Sequence, residues 1–313
     1  MRIWRSLDEV PADLGRTVLV VGNFDGVHLG HQHVVRRARE LADRDGLRVV
    51  AVTFDPHPMA VLRPEHAPSM LTGTDRRSVL LAEAGVDDVF VIRFSREIAS
   101  WSPQEFIDRV IHDGLHAAHV VVGANFRFGA RAAGDVATLR EAGREKDFEV
   151  DGIALDGGPQ VWSSTYVRTC LTAGDVEGAA EALGRPYSVV GHVVRGDRRG
   201  KELGYPTANV PVGDVATPAD GVYAGWLTLL DEPGSYPMPA AISVGTNPTF
   251  DGARERRVEA YALDHTDLNL YDEPVEVSFV ARIRGMEKFA GTEELVETMA
   301  RDVARTRELL GVP

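Results

Sequence analysis

Apolar positions along the chain show two textures that change near residue 184. Before that point, short β-branched runs alternate with helical spacing. "TVLVVG" and "LRVVAVTF" read as buried strands, and between them Val34, Val35, Ala38, Leu41 and Ala42 recur on one helix face. "DDVFVIRF" and "AHVVVGANF" are further strands, with helices predicted near 74–84, 103–113 and 135–146. Apolar strands separated by such helices predict βαβ units and a parallel sheet covered on both faces. Ligands of such sheets sit beyond the carboxyl ends of the strands.

Gly184 and Pro186 punctuate a linker, after which strand-like runs are separated by Gly, Pro and Asp. The predicted strands are "YSVVGHVV", "GVYAGWLTLL", "PAAISVG", "RVEAYAL" and "VEVSFVARI". In the last, Val275, Val277, Phe279, Ala281 and Ile283 alternate with mostly polar residues, as in a strand buried on one face. Strands this closely spaced predict a small antiparallel barrel. A final amphipathic helix puts Leu295, Val296, Met299, Val303, Thr306 and Leu310 on one face, with Gly311 as its cap.

The length of 313 residues, 44% of them hydrophobic, suits two domains better than one core. A net charge of −13 leaves no broad basic face for counterion release, so nucleic acid is not an expected partner. A local site can still hold a small polyanion. The single cysteine, Cys170, excludes an internal disulfide and a cysteine-rich zinc centre, and reads as a buried thiol rather than a nucleophile. No window reaches membrane-span length, and "MRIWRSLDEVPADLG" has no apolar signal core. The expectation is a soluble, cytoplasmic protein with no membrane partner.

Chemistry concentrates first in "VLVVGNFDGVHLGHQH", where a strand breaks into a glycine-rich turn and a helix begins. A helix mouth attracts phosphate through its unpaired N–H groups and dipole, and Gly22, Gly26 and Gly30 would let backbone approach it. His28 and His31 stand there without the lysine of a P-loop. Imidazole donors suit a reaction in which charge builds on phosphate while the nucleophile arrives already ionised, as in nucleotidyl transfer onto a phosphate. A second stretch, "WSSTYVRTCL", puts Ser163, Ser164 and Thr165 at another helix start with Arg168 one turn in, able to hold a polyphosphate. Each motif has a plainer reading: helix capping with surface histidines for one, an N-cap with no ligand for the other.

In the second half, "RGDRRGKELGYPTANV" offers Gly196, Gly200 and Gly204 to wrap phosphates and Arg198, Arg199 and Lys201 for charge. Thr207 and Asn209 alternate on an extended segment, so their neutral oxygens point the same way, as ligands for nucleotide-bound Mg²⁺ or as partners of their own backbone. Glu259, on an apolar strand, is either salt-bridged to an arginine or poised as a base toward a neutral hydroxyl.

"GNFDGVHLGH", "TFDPHP", "GANFRFG" and "SSTYVR", in that order, resemble the adenylyltransferase module of bacterial bifunctional riboflavin kinase/FMN adenylyltransferases (FAD synthetases). "GKELGYPTAN", "GVYAG", "SVGTNPTF", "VEAYALD" and "RIRGMEKF" resemble the riboflavin kinase module that follows it, so the resemblance covers nearly the whole chain. It implies an α/β nucleotidyltransferase-like (Rossmann-like) parallel-sheet domain over 1–184 and a small antiparallel β-barrel domain with a C-terminal helix over 185–313. It implies ATP as co-substrate, Mg²⁺ as cofactor, and riboflavin, FMN and FAD as substrates or products. In the first domain it assigns nucleotide binding to Gly22, Asn23, Phe24, Gly30, Ser164, Thr165 and Arg168. His28 and His31 would stabilise the pentavalent α-phosphorus and departing pyrophosphate, and His57 and Asn125 would line the flavin cleft. In the second domain Gly200, Lys201, Gly204, Thr207 and Asn209 bind nucleotide, Thr207 and Asn209 hold Mg²⁺, and Glu259 activates the ribityl hydroxyl. Asn247, Pro248 and Thr249 belong to a nearby loop, while Arg284 and the final helix cover the flavin. Two positions depart from the pattern: Asn125, where many relatives carry an acidic residue, and Met286, where many carry Glu. Two other readings stand beside this one: a chain retaining one activity, and a flavin-binding regulator without turnover.

Overall fold

The structure is a computed structural model and describes residues 1–154, 162–195, 204–230, 235–248, 254–265, 268 and 270–313. It contains two compact units, divided between Ser163 and Ser164.

The first unit is built on a parallel six-stranded sheet. Its strands are β1 (Arg2–Trp4), β2 (Thr17–Val21), β3 (Arg48–Asp55), β4 (Asp88–Arg93), β5 (Ala117–Gly123) and β6 (Glu149–Ile153), in the order β1-β4-β3-β2-β5-β6. From β2 the chain steps outward to β3 and β4, then returns to the other side of β2 with β5 and β6. The order therefore reverses at the β2–β5 pair, where an open parallel sheet leaves a crevice beyond its carboxyl ends. The helices are α1 (Leu29–Asp45), α2 (Pro58–Leu62), α3 (Thr74–Glu83), α4 (Arg96–Ala99), α5 (Pro103–Phe106) and α6 (Val136–Lys146). A π-helical turn, Ile107–His112, extends α5 and completes the predicted 103–113 helix.

Strand alternation splits the core in two. Leu19, Val21, Val50, Val52, Val120 and Val122 pack with Phe106, Ile107, Ile111 and Leu139 on one face. Val18, Val20, Val49, Ala51 and Val121 pack with Val34, Val35, Ala38 and Leu41 of α1 and Leu80 and Leu81 of α3 on the other. The edge strands β1 and β6 are additions to the sequence expectation: β1 buries only Trp4, and β6 mixes Glu149 and Asp151 with two apolar residues.

The second unit opens with α7 (Ser164–Ala173) and α8 (Val176–Leu183). Gly184 ends α8 in the left-handed conformation, φ 70°, so the expected linker is a tight turn into β7 (Tyr187–His192). The remaining strands are β8 (Ala208–Pro211), β9 (Gly221–Leu229), β10 (Met238–Pro248), β11 (Arg254–Ala262) and β12 (Pro274–Arg284), followed by α9 (Thr292–Leu310). They form an antiparallel sheet ordered β7-β12-β9-β10-β11-β8, and a bridge between Val194 and Asn209 brings its two edges together into a barrel. Val210, Ile242, Val244, Val258, Val275, Val277 and Phe279 fill the inside. Ile283 leaves the predicted alternation because a bulge between Arg282 and Arg284 shifts the register. Backbone hydrogen bonding from Ala219 to the carbonyl of Leu171, 2.8 Å, ties α7 to this unit.

Candidate functional site

In the first unit, the turn between β2 and α1 lies at the sheet's reversal. Its backbone is contorted: Phe24 and Val27, both non-glycine, take φ of 49° and 42°, with Gly26 at 80°. A β-branched residue in that region is strained, and such strain persists where surrounding structure over-determines it. His28 is the N-cap residue of α1 but makes no capping hydrogen bond through its side chain, and it is buried, 5% exposed. Capping with a surface histidine therefore does not describe it. The ring of His31, one turn on, stacks on that of His28 with centroids 3.7 Å apart and planes at 25°. Phe24, itself buried, supports His31 edge-on at 5.2 Å. Among the described residues, His31 Nδ1 is buried with no hydrogen-bond partner. Burial, the His28 imidazole and the Arg77 guanidinium hold the His31 ring well below the usual imidazole value, so it is neutral at pH 7.

Gly30 sits between the two histidines for want of room. A Cβ there would meet the His28 ring at 3.1 Å and the carbonyl of Trp162 at 3.4 Å. Gly22 ends β2, its N–H donating to the carbonyl of Val52 at 3.1 Å. His57 caps α2 by accepting from the N–H of Met59 at Nδ1, 3.1 Å, and its Nε2 faces the side-chain amide of Asn23 at 3.2 Å. Asn23 and His57 thus come together from the ends of β2 and β3. Asn125 is exposed in the turn after β5, the strand next to β2. These residues all lie beyond carboxyl ends of the parallel strands, where α1 directs unpaired N–H groups and the positive end of its dipole. No acidic side chain occupies its first turn.

Ser164 and Thr165 begin α7, and Arg168 follows one turn in; all three belong to the second unit. Gly200 and Lys201 lie outside the described residues, as does Thr249. Gly204 takes φ 86° in the turn before β8.

Backbone register in the barrel gathers the remaining candidates. Asn209 pairs with Glu259, Glu259 with Ser243, Ser243 with Val222, and Val222 with Arg284. Directly paired residues share a face, so these five form one row across β8, β11, β10, β9 and β12. Helix α9 packs on β9, β10 and β12. The Asn209 amide nitrogen donates back to the carbonyl of Thr207 at 3.4 Å, which leaves its amide oxygen as the acceptor. Asn247 and Pro248 continue β10, pairing with Glu255 and Arg254, rather than forming the expected loop.

Arg284 is held by Asp302 of α9, with Nε and Nη2 on the carboxylate at 2.9 and 2.7 Å and Nη1 on the carbonyl of Gly285 at 3.1 Å. The carboxylate raises the Arg284 guanidinium above its ordinary value. This corrects the predicted face of the last helix: its most buried line is Thr298, Asp302 and Thr306, with Leu295, Met299, Val303 and Leu310 only partly covered. Periodicity of apolar residues cannot anticipate a strand end that presents an arginine. Sequence reasoning also passed over Asp25 and Arg77, both buried, because isolated charges carry no periodic signal.

Comparison with known proteins follows the same division. Residues 10–164 match the family model for FAD synthetase, and residues 183–310 match that for riboflavin kinase. Proteins named bifunctional riboflavin kinase/FMN adenylyltransferase are similar along almost their whole length. That of Escherichia coli (strain K12) is 36% identical over 94% of this chain and 93% of its own. That of Pseudomonas fluorescens is 36% identical over 99% and 98%, and that of Bacillus subtilis (strain 168) 33% over 94% and 92%. A crystal structure described as a macrolide-efflux protein from Streptococcus pneumoniae superposes with a TM-score of 0.85 at 32% identity, covering 97% of this chain and 98% of that one. Among the described residues here, no helix is long and apolar enough to cross a membrane. With both family models matched in sequence order, the chain belongs to the bifunctional riboflavin kinase/FMN adenylyltransferase family.

Proposed function

We infer that this chain phosphorylates riboflavin to FMN with ATP and then joins FMN to AMP from a second ATP, giving FAD and pyrophosphate. One observation supports it most: the stacked His28–His31 pair stands at the reversal of a parallel sheet, in a chain whose halves match the two corresponding families.

In adenylyl transfer the nucleophile is a phosphate oxygen of FMN, already ionised. As its bond to the α-phosphorus forms, the bond from that phosphorus to the β-phosphate oxygen breaks and pyrophosphate leaves. No proton has to move, so the task is to stabilise charge. The imidazoles at positions 28 and 31, the latter kept neutral chiefly by burial, supply N–H donors at the positive end of α1. Gly22, Asn23, Phe24 and Gly30 shape the nucleotide side, Ser164, Thr165 and Arg168 hold the ATP phosphates, and His57 and Asn125 line the flavin cleft.

Phosphorylation of riboflavin starts from a neutral alcohol. Glu259 accepts the ribityl hydroxyl proton while the oxygen bonds the γ-phosphorus and ADP departs. The register beside it suits a nucleotide-bound Mg²⁺ held at Thr207 and Asn209. A hydroxyl and an amide oxygen next to a carboxylate are hard, oxygen-only donors, and Mg²⁺ takes few protein ligands when phosphates supply others. When bound, the cation neutralises charge on the transferred phosphoryl group. Gly200, Lys201 and Gly204 wrap the phosphates, and Arg284 lies where the flavin is covered.

Incubating the pure protein with riboflavin, ATP and Mg²⁺ should give FMN and then FAD. His28→Ala should stop FAD formation and spare FMN formation; Glu259→Ala should do the reverse when FMN is supplied. Absence of both products, or loss of both steps in each variant, refutes the assignment.

A further inference from the structure

Arg77, on α3, is 2% exposed, and nothing in the reaction as described uses it. A guanidinium is costly to bury, and an apolar side chain of similar volume would fill the space at lower cost. Its contacts explain its presence. Nη1 donates to Thr53 Oγ1 and to the carbonyl of Phe54, each at 3.0 Å, at the carboxyl end of β3. Thr53 Oγ1 donates in turn to the carbonyl of Asn23 at 3.1 Å. Asp25, 1% exposed, accepts from the N–H groups of Leu71 and Thr72 at 2.9 and 3.1 Å, and the N–H of Gly26 donates to Thr72 Oγ1 at 3.2 Å. The carboxylates of Asp25 and Asp55 are the charges facing Arg77.

The contacts to Thr53, Phe54 and Asp55 fix Arg77 to β3. The bonds through Thr53 to Asn23, and those of Asp25 and Gly26, end on the turn that carries Phe24 and Val27 in the left-handed region and delivers His28 and His31. A turn in that conformation relaxes unless held from several sides. The cation also lies close enough to act on His31, whose ring is faced by His28 and Arg77 as its titratable neighbours.

We propose that Arg77 is a positioning residue for adenylyl transfer, a buried fixed cation that locks the Gly22–His28 turn to β3. Its attraction for Asp25 and its bridge through Thr53 hold the turn. Its positive charge adds to burial, the larger cause, and to the His28 ring in disfavouring a proton on His31. The proposal rests on the histidine pair being the adenylyl-transfer centre.

The test uses the full chain with Arg77→Met, Arg77→Lys and Thr53→Val. It reads FAD formation from supplied FMN as kcat and KM across pH 5–9, the imidazole NMR titration of His31, and riboflavin phosphorylation as an internal measure of an intact chain. Arg77→Met should lower kcat for adenylylation by roughly 10–100-fold, the scale of a small misplacement of reacting groups. It should also move the His31 titration and the acid limb of the profile to higher pH. Arg77→Lys should keep the titration near that of the parent while losing part of kcat, because an ammonium on a shorter stem does not reproduce the fixed position of Nη1 between Thr53 and Phe54. Thr53→Val should lower kcat without moving the titration. If Arg77→Met unfolds the first unit, the other two variants decide. Parent-like kcat in both, or a His31 titration unmoved in a folded Arg77→Met, overturns the proposal. Failure of the underlying assignment looks different: the parent itself makes no FAD, while the NMR arm still reads the coupling of Arg77 to His31.

Discussion

Arg284 grips Asp302 with Nε on both carboxylate oxygens, at 2.9 and 3.2 Å, and Nη2 on one of them at 2.7 Å. Both side chains are largely buried, at 18% and 9% exposure. The pair fastens α9 to the end of β12, in the row that also contains Glu259 and Asn209. Asp302→Asn leaves the guanidinium short of its charged partner. It should cost about 2 kcal/mol of stability in the second unit, the scale of a charged hydrogen bond. It should also raise KM for riboflavin more than it lowers kcat, with adenylylation of supplied FMN unaffected. Denaturant unfolding and steady-state kinetics check this, and an unchanged KM contradicts it.

Gly30→Ala places a methyl group 3.1 Å from the His28 ring, between an imidazole and a carbonyl. The ring must give by a few tenths of an ångström, less than the ~1 Å misplacement that costs about a hundredfold in rate. FAD formation should fall by roughly tenfold while FMN formation from riboflavin continues. The two products resolve by chromatography from one incubation.

Stability of the first unit should fall in weak acid. His31 in the folded chain titrates well below 6.5, chiefly through burial, so below that pH the unfolded chain binds more protons than the folded one. The contribution is fully present above the unfolded value of 6.5 and is lost as pH drops beneath it. Thermal unfolding of the parent should decline from pH 7 to pH 5 more steeply than that of His31→Gln. Parallel curves would rule out the linkage.

Cys170 lies on α7, buried, and burial pushes its thiol up from the ordinary value. It should react slowly with iodoacetamide at pH 7.5, and Cys170→Ser should retain both activities. Rapid labelling accompanied by loss of either product would give the thiol a role it lacks here.

Periodicity alone made both architectures legible. β2 to β5 are runs of apolar residues long enough to be buried on two faces, and α1 shows one stripe, so a covered parallel sheet was the only economical packing. Val275, Val277 and Phe279 alternate, so β12 had one buried face. The placing of His28 and His31 at a helix mouth was legible too, but the residues alone left a plain capping reading beside the chemical one. What sequence determined, then, is local: which segments bury which faces, and which chemical groups each turn carries. Tertiary structure decided the rest, because it depends on residues far apart in the chain. The stacking of His28 on His31, the row that sets Asn209 beside Glu259 and Arg284, the turning of Asp302 rather than an apolar residue toward β12, and the placing of Arg77 beneath the β2–α1 turn all depend on strand order and register. Those are set by the burial and hydrogen bonding of the whole sheet, and a single buried charge contributes no period from which to foresee them.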